Sequence, residues 1–352
     1  MKDISNYQIS QKSSIREAIK QLDNGGIGFT TVIDDNEKVV GILTDGDFRR
    51  AILKGISLNK EVGIIINKQF KKIRPKCNKD EIKNIFYTTK VKQIPVIENG
   101  KLIDIITEEN LFDSRQQKKY KKINLPVIIM AGGKGTRLDP FTRILPKALI
   151  PIGEKAMIEV IMDEYAKFGM KSFFISINHK SKMIKAYLED HESDYTFNYI
   201  NEDKPLGTAG ALKFLEGKID SPLFVSNCDI IIKDDYSKIY EFHQNGNYDV
   251  TVVASMQHHT IPYGVCEIEN GGDLKNMIEK PQYDFLINTG MYLLNPEVLK
   301  YIPENEFFHI THLIEILQKE EFKIGVYPVS EKSWIDVGQW EEYKKNLRIL
   351  DI

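Results

Sequence analysis

At 352 residues and 42% hydrophobic content, the chain has room for two or three domains with apolar cores and is not a disordered polymer. Lys and Arg number 48 against 50 Asp and Glu, a formal charge of -2 that excludes a globally basic nucleic-acid surface. Cys77, Cys228 and Cys266 are odd in number and far apart, which excludes a disulfide framework and a CxxC zinc pair and points to free thiols in a reducing, cytoplasmic setting.

The opening segment MKDISNYQIS has no apolar core, and no run of about 18 apolar residues follows, so neither a signal peptide nor a membrane span is expected. An internal repeat then appears. Residues 32–48 (VIDDNEKVVGILTDGDF) overlay residues 96–112 (VIENGKLIDIITEENLF), with Thr44 on Thr107 and Asp47 on Asn110. Each copy follows an amphipathic helix, marked by Ile15, Ala18, Ile19 and Leu22 in the first and by Ile82, Ile85 and Phe86 in the second. Ser14 with Glu17, and Asn78 with Glu81, have capping-box spacing. The unit predicted is helix, strand, turn, strand, helix, twice over.

This arrangement resembles a tandem pair of cystathionine-β-synthase (CBS) domains. The resemblance implies that Thr44 and Asp47, with Thr107 and Asn110 as counterparts, hold the phosphate and ribose of an adenine nucleotide. A hydroxyl and an acceptor-only carboxylate suit those partners. In the second copy Asp104 replaces Gly41, and Glu108 and Glu109 add acid near the implied phosphate. Two readings stay open, an adenine-nucleotide site and a dimer interface alone, and a homo-oligomer is expected.

Residues 113–124 (DSRQQKKYKKIN) are polar and aperiodic, which divides the chain into a domain at 1–118, a linker at 119–124 and a domain at 125–352. The basic cluster at 118–122 reads as solvated linker.

The second domain opens on VIIMAGGKGTRLDPFTRILPKALIP, residues 127–151. The apolar run 127–130 predicts a buried strand, and Gly132, Gly133 and Gly135 then allow the backbone to approach a phosphate. A Rossmann fingerprint needs glycine where Leu138 stands, and a P-loop needs Gly-Lys-Ser/Thr where Gly135 follows Lys134. Arg137 and Lys147 supply a planar fork and a point charge for phosphate oxygens.

GGxGTRL followed by Pro146 and Lys147 resembles the signature of the sugar-phosphate nucleotidylyltransferases, and the likeness spans residues 124–346. It implies that Ala131, Gly132, Gly133, Gly135 and Thr136 contact the nucleotide. Ala148 stands where that family usually has proline. Downstream, helical patterns (Ile158, Ile161, Met162 and Tyr165; Met183, Ile184 and Tyr187) alternate with strand-like runs at 173–177 and 223–226. The fold predicted is α/β, a Rossmann-like, mostly parallel mixed sheet of the GT-A kind behind the CBS module, with ligands at the carboxyl ends of the strands.

In the family, the segment EDKPLGTAGAL at 202–212 contacts the base, implying roles for Glu202, Pro205, Gly207 and Thr208. Glu202 stands where enzymes for uracil or thymine nucleotides often carry Gln. A carboxylate accepts the adjacent N1–H and N2 donors of guanine, so GTP is the favoured substrate. Asp229 and Asp336 match the family's metal positions, and Mg²⁺ suits one or two carboxylates plus substrate phosphates. The resemblance further implies a sugar-phosphate site of Gly264, Glu279, Lys280, Asn288 and Thr289. His258 and His259 read as a loop, and His309 and His312 lack the HExxH frame.

The reaction implied joins a nucleoside triphosphate to a sugar 1-phosphate and releases pyrophosphate, with Arg137, Lys147, Asp229, Lys280 and Asp336 carrying it. The CBS fusion, PLGTAGAL and the Pro-Tyr-Gly-Val segment look like guanylyltransferases of bacterial surface-sugar routes, including the glucosamine 1-phosphate enzyme of legionaminic acid synthesis. Mannose and heptose phosphates and a phosphocholine-type cytidylyl transfer are alternatives. An inactive nucleotide-sensing protein is another, opposed by the presence of all five reactive residues.

Overall fold

Ser14 and Glu17 start the first helix by exchanging bonds: the Ser14 hydroxyl takes the Glu17 N–H at 3.2 Å, and the Glu17 carboxylate takes the Ser14 N–H at 2.7 Å. Two donors that a helix end leaves open are thereby satisfied. Ile15, Ala18, Ile19 and Leu22 then share the buried face of α1 (Ile15–Gly25).

The computed structural model describes residues 4–338 except 90, 112–119 and 191–193, and the side chains at 80, 87, 109 and 110 lie outside that description. The chain forms two units, Met1–Lys119 and Tyr120–Ile352. In the first, β1 (Gln8–Ser10) runs parallel to β2 (Phe29–Ile33), which pairs antiparallel with β3 (Val39–Thr44) ahead of α2 (Asp45–Leu53). The order recurs in α3 (Lys79–Thr89), β4 (Gln93–Glu98), β5 (Lys101–Thr107) and α4 (Glu108–Leu111), as the repeat predicts. Each copy has its own core, and Phe29, Ile42, Leu102 and Ile105 join the copies through another.

Of the predicted linker, residue 119 is outside the described residues, while residues 120–124 are packed on the second unit. Tyr120 lies 4.7 Å from Phe168 between ring centroids, and Lys121 pairs with Glu241 at 2.6 Å. Lys121 and Lys122 stay exposed, as a solvated stretch requires, while Tyr120 and Ile123 are partly buried against the second unit.

In the second unit β6 (Val127–Met130) is apolar throughout because both its faces are covered. Val127 and Ile129 join one core, Ile128 and Met130 another. The hairpin β7 (Pro151–Ile152) and β8 (Lys155–Ala156) leads to α5 (Met157–Ala166), then β9 (Ser172–Ile177), α6 (Ser181–Glu189) and β10 (Thr196–Asn201). After β11 (Leu223–Asn227) and β12 (Ile230–Ile232) come α7 (Tyr236–Asn245), the long β13 (Val250–Thr260), and the hairpin β14 (Val265–Ile268) and β15 (Leu274–Ile278). β16 (Gln282–Leu294), α8 (Ile310–Lys319), β17 (Ile324–Val329) and β18 (Trp334–Asp336) follow.

The main sheet has seven strands in the order β10-β9-β6-β11-β16-β13-β17, with only β16 antiparallel to its neighbours. α5, α6 and α7 cover one face through Ile161, Ile184 and Ile239, and α8 covers the other through Leu313 and Leu317. β9 and β11 flank β6 on opposite sides, so the chain reverses its progress across the sheet there, and the glycine loop opens into the resulting crevice.

Past the bulge at Val253/Ala254, β13 and β16 extend as a ribbon. His258 and His259 lie in β13, not in a loop, and the His258 ring meets Asp284 at 2.5 Å. Beyond Met256 the strand leaves the core and its last residues, His259 and Thr260, are exposed, so the polar run reads as loop. Among the described residues no helix is long and apolar enough to cross a membrane.

Candidate functional site

The loop after β6 is shaped by what crowds it. A Cβ at Gly132 would lie 2.6 Å from Glu202 Oε1, and one at Gly135, whose φ is +69°, would lie 2.9 Å from Lys147 Cβ. Only glycine lets the backbone pass both side chains. These approaches also give the loop a direction, with the Glu202 carboxylate at its start and the Lys147 ammonium at its end.

Ala131 is buried, its N–H bonded to Ser176 O at 2.9 Å. Leu138 is buried in the core behind the turn Thr136–Leu138, which leaves Arg137 exposed toward the cleft, Nη2 3.8 Å from Asp229 Oδ2. Ala148 is fully buried behind Lys147, so the position where proline was expected is a packing position. The Lys147 ammonium hydrogen-bonds Asp229.

Asp229 and Asp336 are far apart in sequence and are brought together by the β12–β18 ladder, which sets Ile230 opposite Asp336 and bonds Val337 N to Asp229 O at 3.0 Å. Both carboxylates crowd the space that a Cβ at Gly338 would occupy. Burial, and then the nearby Asp229 charge, push the Asp336 carboxyl above its ordinary range, against the Gly338 N–H that stabilises its charge at 2.7 Å. Among the described residues no group of three or more His, Cys, Asp or Glu gathers as a metal cage. Two converging carboxylates still fit Mg²⁺, which prefers one or two carboxylates together with substrate phosphate oxygens.

Glu202 is 7% exposed, yet both its oxygens are engaged: Ser176 Oγ donates to Oε1, and Leu206 N donates to Oε2 at 2.8 Å. Each oxygen has capacity for a second donor. Leu206 O accepts from Phe308 N at 2.9 Å, and Phe308 O accepts from Ala209 N at 3.0 Å, so residues 206–209 are strapped to the segment before α8. Gly207, with φ +80°, passes within 2.6 Å of Phe308 O as a Cβ would be placed. Thr208 Oγ1 accepts from Ile310 N at 3.0 Å and so caps α8.

These parts enclose a cleft of about 310 Å³. Gly132, Gly133, Gly135, Thr136, Arg137, Lys147, Glu202, Pro205, Gly207, Thr208 and Asp229, all predicted site residues, line it. Asn227, Cys228 and Phe307 line it too and were not predicted as contacts. Exposure of an aromatic side chain is a tertiary fact, so Phe307 leaves no sequence signal. Burial pushes the Cys228 thiol up to about 12, which leaves it protonated and unreactive.

Gly264, Glu279, Lys280, Asn288 and Thr289 are not in that lining. Gly264 and Glu279 meet beside the β14–β15 hairpin, a Gly264 Cβ falling 3.1 Å from Glu279 Oε2, and Lys280 N bonds Tyr263 O at 3.3 Å. Asn288 donates to Tyr292 OH at 2.7 Å, and Gly290 abuts the Asn227 side chain at the cleft wall. Thr289 is 2% exposed, and its hydroxyl donates to Val253 O at 2.8 Å beside the sheet bulge.

Thr44 and Asp47 in the first unit are engaged with each other: Asp47 Oδ2 accepts from Thr44 N at 2.9 Å and from Thr44 Oγ1 at 2.7 Å, capping α2. Thr107 ends β5. The Asn110 side chain lies outside the described residues.

Residues 126–350 match the nucleotidyl transferase family model, and residues 2–54 and 60–116 match the CBS domain. Among curated proteins, the mannose-1-phosphate guanyltransferase of Debaryomyces hansenii is 34% identical over 234 residues, 61% of this chain and 62% of that protein. Its counterpart in Saccharomyces cerevisiae is 33% identical over 232 residues, again 61% and 62%. The chain therefore spans about 62% of the length of these relatives. HddC from Yersinia pseudotuberculosis, free or complexed with GMP-PN, is similar in structure, with a TM-score of 0.51 and 25% identity, over 64% of this chain and 99% of that one.

Proposed function

Because the chain belongs to the nucleotidyl transferase family, we propose that it joins GTP to a sugar 1-phosphate, giving a GDP-sugar and pyrophosphate. One observation carries this reading: the glycine loop, Arg137, Lys147, Asp229 and Glu202 share one cleft, with cations at one end and a carboxylate at the other. The cationic end suits a triphosphate, and Glu202 at the other end suits the N1–H and N2 donors of guanine. The names of the guanyltransferase relatives and the GMP-PN complex of HddC support the choice of base.

A phosphate monoester carries most of its second charge at neutral pH, its pKa being about 6, so the attacking oxygen needs no general base. The residues then act by alignment and charge neutralisation. Arg137 and Lys147 shift from Asp229 to phosphate oxygens, and the loop N–H groups face the same charge. Asp229 and Asp336 would hold Mg²⁺, whose chemistry there is to neutralise charge on the α-phosphate and the leaving pyrophosphate. Lys280 and Glu279 would take the acceptor phosphate and sugar hydroxyls, beside Gly264 and Asn288. The CBS pair would bind an adenine nucleotide.

The acceptor proposed is glucosamine 1-phosphate, and the relatives' names favour mannose 1-phosphate as a second reading. Comparing kcat/KM for the two with saturating GTP and Mg²⁺ separates them. A tenfold or greater preference for glucosamine 1-phosphate is expected, and a preference for mannose 1-phosphate overturns the first assignment.

A further inference from the structure

The cleft contains an aromatic ring that the proposed chemistry does not use. Phe307 lines it and is 59% exposed, so much of the side chain is open to a ligand entering the cleft. Its backbone is not loose. Phe308, the next residue, donates its N–H to Leu206 O at 2.9 Å and accepts at its carbonyl from Ala209 N at 3.0 Å and Gly210 N at 3.2 Å. Leu206 N is in turn bonded to Glu202 at 2.8 Å. The ring meets His309 edge-on at 4.7 Å between centroids, and His309 Nδ1 contacts Thr208 Oγ1 at 3.3 Å.

This chain of contacts ties Phe307 to the segment that begins at Glu202 and lines the same cleft. The ligand part that belongs at the Glu202 end is flat, and a flat base with its hydrogen-bonding edge on a carboxylate leaves its π-face for a neighbouring ring. We propose that Phe307 is the stacking face for the nucleobase and a determinant of purine preference. A purine has a larger face than a pyrimidine, so the ring discriminates by area, while Glu202 discriminates by hydrogen bonding. The inference rests on the reading of this cleft as the nucleotide site.

The test is GTP binding to the full chain in the absence of acceptor, by calorimetry, for the wild type, Phe307→Ala and Phe307→Tyr, with pyrophosphate binding as the control. Stacking on an aromatic side chain contributes about 1–3 kcal/mol per base, or about 5- to 140-fold in Kd. Phe307→Ala is expected to weaken GTP binding by that factor and leave pyrophosphate binding unchanged, while Phe307→Tyr stays within about twofold of wild type. GTP affinity unchanged in the alanine variant overturns the proposal, as does an equal loss for pyrophosphate, which would show a distorted cleft. A raised acceptor KM at constant GTP affinity overturns it too, since the ring would then face the sugar. Wild-type protein that binds no GTP removes the proposed function itself, a result the variants cannot mimic.

Discussion

Asp229 is where the separate parts of the cleft meet. Its carboxylate is 7% exposed and faces the Lys147 ammonium, itself 12% exposed, with the Arg137 guanidinium 3.8 Å away and Asp336 beside it. Two cations balance two carboxylates; in the proposed reaction, incoming phosphates would draw Lys147 and Arg137 away, and Asp229 with Asp336 would hold the divalent cation. Replacing Asp229 with Asn removes that charge but keeps the shape. Turnover is expected to fall about 100-fold or more, comparable to loss of a preorganised electrostatic partner. Steady-state kinetics check this, and an Asp229→Asn enzyme with undiminished kcat contradicts the role given to the carboxylate.

Elements position these residues through a few buried polar ties, and His243 on α7 is one. Asn295 Oδ1 can only accept, so His243 Nε2 donates to it at 3.0 Å, and Nδ1 accepts from the Thr251 hydroxyl at 2.9 Å. The neutral ring thus joins α7 to β13 and the end of β16. Burial lowers its pKa, opposed by the Asn295 bond and the Asp249 charge. The unfolded chain therefore binds a proton that the folded chain does not, between the ordinary value near 6.5 and the lower folded value. In that window the unfolded state binds more protons, so stability is full above about pH 6.5 and is lost as pH falls. The slope from this group is at most about 1.4 kcal/mol per pH unit. Urea midpoints from pH 7 down to 5 are expected to fall more steeply for wild type than for His243→Gln; equal slopes contradict the account.

Across the whole molecule, the parts readable in the sequence are those with a short-range cause. The uninterrupted apolar run of β6, the glycines after it, the capping box of α1 and the repeated helix-strand-strand-helix order all declare themselves locally. The glycine loop with Arg137 and Lys147 reads as a phosphate site from its own residues, whereas Pro205, Gly207, Thr208 and Asp229 join it only through resemblance, because their meeting depends on strand order. The bond from the Thr289 hydroxyl to Val253 O is not legible, because a polar residue satisfied by a sheet carbonyl looks the same in sequence as one reserved for a ligand. Phe307 is invisible for the opposite reason, since an exposed ring and a core ring share one letter.

The CBS unit carries its own prediction. Asp47 caps α2, so Asp47→Ala costs about 1 kcal/mol before any ligand is considered, and its melting temperature must be compared with its own baseline. AMP is expected to raise the melting temperature of the wild-type chain and not that of the variant. ATP is tested in parallel, and no shift with either or with any other nucleotide contradicts nucleotide binding and leaves the dimer-interface reading.

Guanylyl transfer in one cleft is tested by pyrophosphate release with Mg²⁺ and glucosamine 1-phosphate or mannose 1-phosphate, in parallel reactions with GTP, CTP, UTP, dTTP and ATP. Release is expected to depend on acceptor and to be at least tenfold faster with GTP than with any other nucleotide. Faster release with a pyrimidine nucleotide, or none from GTP with either acceptor, contradicts it.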